Sequence, residues 1–397
     1  MTNRDFVITS LQSWDIPIGS NAIDIAWEIS KDNRVLYVNS PRDMMGWFRN
    51  PAILRRDNRN IKERIPGEMI RRITANLTVI DLPFLAWPVN GLPDGRVFDF
   101  FNKLNNQSIF RYLKGMVQKM NMKNIVHLID NDIYRSFHAK EILRPGISVY
   151  YRRDNLQPMA YWQRHAPRLE PILIAKSDLV ICNAARLRDY ALPYNKNSFD
   201  VGQGVDLNAY DPRQNLPLPS TLASIRPPRI GYIGDINSLR LDADLICHLA
   251  SERPEYSFVI IGKEDETFSS HKLHALPNIH FPGSIPKNQV PAYIKGMHVC
   301  INPQRINDIT IGNYPRKVDE YLAMGKPVVA TMTDAMGMFH EHAYLCTTRE
   351  DHLHAIDRAL LEADEKKAED RILFARTHGW TNCVQRIYDR ISTHSPQ

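Results

Sequence analysis

Long apolar runs are missing from this chain. No stretch of eighteen apolar residues occurs in its 397 positions, so no transmembrane helix is expected. The opening Met1-Thr-Asn-Arg-Asp leads straight into the strand-like Phe6-Val-Ile-Thr. No cationic region followed by an apolar one precedes it, so no secretory leader is expected. Cysteine is sparse, with five residues at 182, 247, 300, 346 and 383 and no CxxC pair. That pattern excludes a dense disulfide framework and argues against a structural zinc site; reduced, buried thiols in a cytoplasmic protein fit it. Internal repeats, low-complexity tracts and nucleic-acid-binding motifs are also absent from the sequence.

What is present is ordinary soluble-globular composition, 43% apolar and 24% charged. The length suggests two domains of about 150–200 residues each. The net charge of +6 is unevenly placed. From Arg42 to Arg72 nine basic residues face four acids, with Trp47, Phe48, Ile53 and Leu54 interleaved. Aromatic stretches follow at Phe84-Leu-Ala-Trp87 and Phe98-Asp-Phe-Phe101. A solvated surface, the headgroup layer of an anionic membrane and nucleic acid all fit cations mixed with aromatics. With no motif to support nucleic acid, the expected partner of region 42–101, beyond solvent, is a membrane surface. The expected location is cytoplasmic, peripheral on the inner membrane face.

Short apolar runs alternate with amphipathic ones along the first half: Phe6-Val-Ile-Thr, Val35-Leu-Tyr-Val, Leu77-Thr-Val-Ile, Ile125-Val-His-Leu-Ile, Ile147-Ser-Val-Tyr-Tyr and Leu179-Val-Ile-Cys. Such alternation predicts an α/β fold with a parallel sheet covered on both faces. Pro212, Pro217, Pro219, Pro227 and Pro228 give residues 211–228 the composition of a linker. The alternation then restarts with Arg229-Ile-Gly-Tyr-Ile-Gly, Tyr256-Ser-Phe-Val-Ile-Ile-Gly, Asn278-Ile-His-Phe, His298-Val-Cys-Ile-Asn and Pro327-Val-Val-Ala. The expected division is therefore 1–210, a linker 211–228, a second domain 229–378 and a final helix 379–397. Two doubly wound, Rossmann-like domains would face each other across a cleft, with ligands at the carboxyl ends of the strands.

The most informative segment is Pro315-Arg-Lys-Val-Asp-Glu-Tyr-Leu-Ala-Met-Gly-Lys-Pro-Val-Val329. It predicts a helix with proline in its first turn, ended by Gly325, then a buried strand. Val318, Tyr321 and Leu322 form its apolar stripe, and Lys317 and Glu320 share another face. A cation and free amides at a helix start suit a diphosphate, and a nearby carboxylate suits sugar hydroxyls. A surface helix with a Lys–Glu pair is the plainer alternative.

In order along the chain, Gly231-Tyr-Ile-Gly-Asp235, Phe258-Val-Ile-Ile-Gly262, Asn278-Ile-His-Phe-Pro-Gly283, Tyr293 to Pro303, Lys317 to Val329 and Trp380 match one known pattern. Over about 229–392 the chain resembles the nucleotide-sugar domain of GT-B glycosyltransferases, in particular the family 4 group; over 1–210 the resemblance is weaker. It also resembles teichuronic-acid-type transferases and glucuronosyltransferases of exopolysaccharide synthesis. The resemblance implies a glycosyltransferase that is metal-independent and needs no cofactor. Its donor would be a nucleotide-sugar, UDP- or GDP-linked, and its acceptor a lipid-linked glycan of envelope or exopolysaccharide synthesis. A nucleotide-sugar epimerase and a non-catalytic sugar-nucleotide-binding subunit are the alternatives.

By the same resemblance, Glu320 would accept hydrogen bonds from ribose hydroxyls and Lys317 would neutralise the diphosphate. Arg316 would assist or face solvent. Gly234 and Asp235 would let backbone approach the phosphates, and Thr310, Gly312 and Asn313 would lie beside the donor sugar. Family 4 members usually carry a second acid ahead of the Glu320 position, with seven residues between the two. Here that place is Gly312. Gly19, after the first strand, matches the loop that faces the donor. An inverting reaction would require a base at the end of a first-domain strand. Asp154 and Asp130 are the candidates, with His127 third; a retaining reaction needs none. Asp130-Asn-Asp132 resembles a metal-binding pattern, and Asp242-Ala-Asp244 sits where carboxylates suit a helix start.

Overall fold

The computed structural model describes residues 1–16, 20–42, 44, 69–312, 314–362 and 364–394. It divides into two compact units, Met1–Val201 with Val384–Gln397, and Gly202–Cys383. The proline-rich residues 211–228 belong to the second unit.

The first unit holds an eight-stranded sheet: β1 (Asp5–Ser10), β2 (Arg34–Val38), β3 (Ile70–Arg72), β4 (Leu77–Ile80), β5 (Val126–Asp130), β6 (Ile147–Arg152), β7 (Leu179–Cys182) and β8 (Ser198–Asp200). Its order is β3-β4-β2-β1-β5-β6-β7-β8. Among the described strands only β3 runs antiparallel, against β4. The strands are near-continuous apolar runs because both faces are covered; Val7, Ile8, Leu36 and Val149 are fully buried. The covering helices are α1 (Asn21–Ile29), α2 (Arg96–Lys119), α3 (Ala139–Leu143), α4 (Ala166–Lys176) and α5 (Ala185–Ala191). Ser20 caps α1 by accepting from the Ile23 amide at 3.3 Å.

The second unit holds a six-stranded, all-parallel sheet: β9 (Arg229–Ile233), β10 (Ser257–Ile261), β11 (Ile279–Gly283), β12 (Val299–Asn302), β13 (Val328–Thr331) and β14 (Tyr344–Cys346). The order β11-β10-β9-β12-β13-β14 reverses direction between β9 and β12. In open parallel sheets that reversal opens a crevice beyond the carboxyl ends of the two strands. Around the sheet lie α6 (Ala243–Glu252), α7 (Val290–Gly296), α8 (Arg316–Ala323), α9 (Arg349–Leu360) and α10 (Glu365–Thr377). The last helix, α11 (Trp380–His394), starts in the second unit and ends in the first. All five cysteines are free and buried.

The helix at 315 forms with one difference from the sequence expectation. Pro315 is its N-cap, not a residue of the first turn, because its carbonyl already accepts the Val318 amide at 2.9 Å. The end is a Schellman turn. Gly325 adopts φ +69°, its amide reaches the Leu322 carbonyl at 2.8 Å, and the Lys326 amide reaches that of Tyr321 at 3.0 Å.

Candidate active site at the strand reversal of the second unit

Gly234 directly follows strand β9 and Gly262 follows β10, and the two backbones meet there. Gly234 donates its amide to the Ile261 carbonyl at 2.9 Å, and Gly262 donates to the Gly283 carbonyl at 3.1 Å. Gly234 has φ +157° and Gly262 φ +156°. A Cβ on Gly262 would fall 1.8 Å from the Gly234 carbonyl oxygen, and one on Gly234 would fall 2.7 Å from the Lys317 ammonium nitrogen. Glycine is needed at both positions for backbone conformation and for clearance. Asp235, the next residue, is exposed, and its carbonyl accepts the Tyr232 hydroxyl at 2.8 Å.

α8 delivers its polar residues to this end of the sheet because its apolar side is fastened beneath. The fully buried Tyr321 accepts the Ile233 amide at 2.9 Å on its hydroxyl and donates to the Ile233 carbonyl at 3.3 Å. Lys317 reaches over β9: its ammonium donates to the Tyr232 hydroxyl at 2.6 Å and sits 4.1 Å from that ring's centre. Glu320 turns elsewhere. It pairs with Arg316 at 3.3 Å and accepts the hydroxyl of Tyr210. Lys317 and Glu320 therefore do not pair with each other, and the plain Lys–Glu surface pair gives way to two separately anchored groups. The Glu320 side chain is only 15% exposed. Burial raises its carboxyl above the usual range, opposed by the Arg316 charge and the Tyr210 bond. Arg316 also lies over the Trp380 ring, 5.4 Å from its centre.

Behind α8 the fully buried Asp319 accepts the Tyr314 hydroxyl at 2.6 Å and meets His378 Nδ1 at 2.8 Å. Lys326 of the Gly-Lys-Pro turn donates to the Lys295 and Met297 carbonyls, both at 2.8 Å, and so caps the end of α7. Thr310 is fully buried; its hydroxyl closes the 305–310 loop on the Arg305 carbonyl, and its own carbonyl accepts Gln304 Nε2 at 2.8 Å. Its side chain braces the loop instead of projecting from it. Gly312 lies in the turn that follows. Asn313 and Gly19 lie outside the described residues, as do positions 45–68 of the cationic stretch.

In the first unit the sheet reverses between β1 and β5, and there Ser10 donates to Asp130 at 2.6 Å. Arg153 joins both candidate bases, donating to Asp130 at 2.7 Å and to Asp154 at 2.8 Å. Asp130 has no exposed side-chain surface, whereas Asp154 keeps 24%. Asp130 is thus an internal anchor for Arg153, and Asp154 is the more accessible carboxylate. His127 is a core histidine: it bonds to the Thr9 hydroxyl at 3.0 Å, and burial pushes it down to about 3. Asp132 caps the following turn, accepting from the Arg135 amide at 3.0 Å. Asp242 is the N-cap of α6, accepting from the Leu245 amide at 2.9 Å. Among the described residues no group of three or more His, Cys, Asp or Glu side chains converges as metal ligands.

Residues 227–362, which include Tyr232, Gly234, Gly262, Lys317 and Glu320 of this strand-end site, match the family model "Glycosyl transferases group 1". The chain has the GT-B fold and carries a group 1 glycosyl transferase domain. Over 225 residues it is 27% identical to the "Putative teichuronic acid biosynthesis glycosyltransferase TuaH" of Bacillus subtilis (strain 168). That match covers 54% of this chain and just over half, 56%, of the relative. Among solved structures, sucrose-phosphate synthase from Thermosynechococcus elongatus superposes with a TM-score of 0.70 at 14% identity, covering 98% of this chain and 99% of that one. Anabaena HepE in complex with UDP-glucose gives 0.65 at 15%, covering 98% and 99%. At these identities the two structures establish the fold alone. The Lys317–Tyr232 pair, the Tyr210–Glu320 bond and the Asp319–His378 contact lie inside or beside this glycosyl transferase domain and were not assigned from sequence. Tyr232 carried a signal, since it stands inside the Gly-Tyr-Ile-Gly strand end. Tyr210, 110 positions from Glu320, carried none.

Proposed function

We propose that the chain transfers a sugar from a nucleotide-sugar, UDP- or GDP-linked, to a hydroxyl of a lipid-linked glycan in envelope or exopolysaccharide synthesis. The observation that carries the reading is the Lys317 ammonium fixed by Tyr232 beside Gly234, at the strand reversal of a group 1 glycosyl transferase domain. A fixed cation there stabilises the diphosphate as its charge grows during departure, without a metal ion. Glu320 keeps acceptor capacity beyond its bonds to Arg316 and Tyr210, and a carboxylate suits the ribose diol. The HepE structure holding UDP-glucose supports a uridine donor, and the likeness to TuaH supports an envelope polymer as product. If the reaction inverts configuration, Asp154 is the base and Arg153 orients it. The basic and aromatic region 42–101 supports a peripheral location on an anionic membrane; no described helix is long and apolar enough to cross one.

The test is incubation with UDP- and GDP-sugars, with and without a lipid-linked oligosaccharide fraction. Acceptor-dependent release of nucleoside diphosphate is expected. Conversion of the donor sugar with no acceptor would instead identify an epimerase, and binding without turnover a non-catalytic subunit.

A further inference from the structure

The first unit carries an apolar face that its own core leaves uncovered. Helix α2 buries Phe98, Ile109, Phe110 and Leu113. On another side Val97, Phe100, Phe101 and Leu104 stand at i, i+3, i+4 and i+7, a second apolar stripe. Phe100 is 60% exposed and Val97 48%. The strap before the helix extends this stripe. Leu85 and Trp87 point outward, 43% and 46% exposed, while Ala86 between them is buried.

Polar side chains hold these apolar groups outward. The buried Asn105 amide accepts the Trp87 backbone N–H at 2.8 Å and donates to its carbonyl at 2.9 Å, fixing the strap on the helix. Ala86 donates to the Arg42 carbonyl at 2.8 Å, and Met44 donates to the Ala86 carbonyl at 3.1 Å. Trp87 then packs on Phe101 with ring centres 5.2 Å apart. On the same helix, the buried Asn106 donates to the Tyr134 carbonyl at 2.8 Å and accepts the His138 amide at 2.8 Å, so α2 is locked against rolling its stripe inward.

The charge on the helix is one-sided. Arg96, Lys103, Arg111 and Lys114 recur at spacings of seven, eight and three and border the apolar stripe. The one acid of α2, Asp99, is already held by Arg168 at 2.9 Å. A Trp, Phe and Leu wedge bordered by long cations complements an anionic bilayer: the apolar tips enter the acyl boundary and the cations reach lipid phosphates. We infer that α2 and the 84–88 strap are the membrane-docking surface of this protein, with Leu85, Trp87, Val97 and Phe100 inserted at the interface of a phosphatidylglycerol-type leaflet. This rests on the membrane reading above and assigns the place of contact.

The experiment is co-sedimentation of the full chain with phosphatidylglycerol/phosphatidylcholine vesicles and with pure phosphatidylcholine vesicles at low salt. Wild type should pellet with the anionic vesicles. Brominated acyl chains should quench part of its tryptophan fluorescence, and Trp87→Phe should lose that part. Lys103→Ala with Arg111→Ala should weaken binding about 30-fold, from about 1 kcal/mol per cation near an anionic surface. Trp87→Ser with Phe100→Ser should pellet at the level of the bare-vesicle control. Thermal shift with a nucleotide-sugar, unchanged across the variants, shows that they remain folded. Equal pelleting of wild type and both double variants overturns the assignment to α2 while leaving membrane association standing. Failure of wild type to pellet overturns both. A concentration-dependent dimer abolished by Trp87→Ser with Phe100→Ser also overturns it, making the stripe a self-association face.

Discussion

Gly234 and Gly262 directly follow neighbouring strands with nearly the same backbone conformation, yet the same alanine substitution should do different things at each. Both carry positive φ, so either alanine costs about 1–2 kcal/mol in backbone strain. At Gly262 the new Cβ lands 1.8 Å from the Gly234 carbonyl oxygen, with that carbonyl carbon at 3.0 Å. Backbone gives way only if β9 and β10 separate, which breaks the 2.9 Å bond from the Gly234 amide to Ile261. Adding overpacking of about 1–3 kcal/mol and a lost bond of about 1 kcal/mol brings the total to about 3–6 kcal/mol. That is a large part of a typical domain's 5–15 kcal/mol. At Gly234 the nearest obstacles are Lys317 Nζ and Cε, the far end of a flexible side chain, with the Tyr232 hydroxyl at 3.2 Å. The lysine swings aside and loses its Tyr232 bond, so the fold cost stays near 2–3 kcal/mol while the cation leaves the strand end. Denaturant midpoints and nucleotide-sugar thermal shifts on both variants separate these effects. Gly262→Ala should unfold early or fail to express; Gly234→Ala should fold and lose its ligand-induced shift. Equal stability of Gly262→Ala and wild type, or an undiminished shift in Gly234→Ala, would refute the reasoning.

Tyr232→Phe removes only the hydroxyl that fixes Lys317, so by calorimetry nucleotide-sugar affinity should fall about 3–10-fold with the charge still present. Asp130→Asn leaves a mostly buried Arg153 short of its inner partner and should cost about 3–5 kcal/mol by chemical denaturation, whereas Asp154→Asn should cost about 1 kcal/mol or less. His127 is held neutral in the fold, at about 3, against an ordinary 6.5 when unfolded. Between those values the unfolded chain binds more protons, so stability falls as pH drops below about 6.5, by up to about 1.4 kcal/mol per unit. His127→Gln should flatten that fall in a series of melts from pH 7 to 4.

Much of the fold was legible because parallel strands buried on both faces leave continuous apolar runs, and Gly325, Gly234 and Pro315 punctuate them locally. The α8 segment was legible for the same reason: cap, stripe and polar face all lie within fifteen residues. The partners of its polar face were not. Tyr232, Tyr210 and His378 reach α8 from 85, 110 and 59 positions away, and nothing in a local pattern encodes those distances. Spacing placed Lys317 and Glu320 on one face but could not show that Tyr232 and Arg316 would draw them apart. Thr310 read as a ligand contact from its place in the loop, yet its hydroxyl is turned inward to close that loop. Asp130 and Asp154 read as separate candidates, and only the fold brings both to Arg153.

The central claim is that Lys317 and Glu320 hold a nucleotide-sugar at the carboxyl end of β9. Titration calorimetry of UDP-glucose into wild type, Lys317→Ala, Glu320→Ala and the double variant tests it most directly. Each lost charge-assisted hydrogen bond is worth about 1.5–3 kcal/mol, so each single variant should bind about 10–150-fold more weakly, and the double variant should give no measurable heat. UDP-glucose binding of wild-type strength in the double variant would contradict the account and place the nucleotide elsewhere on the chain.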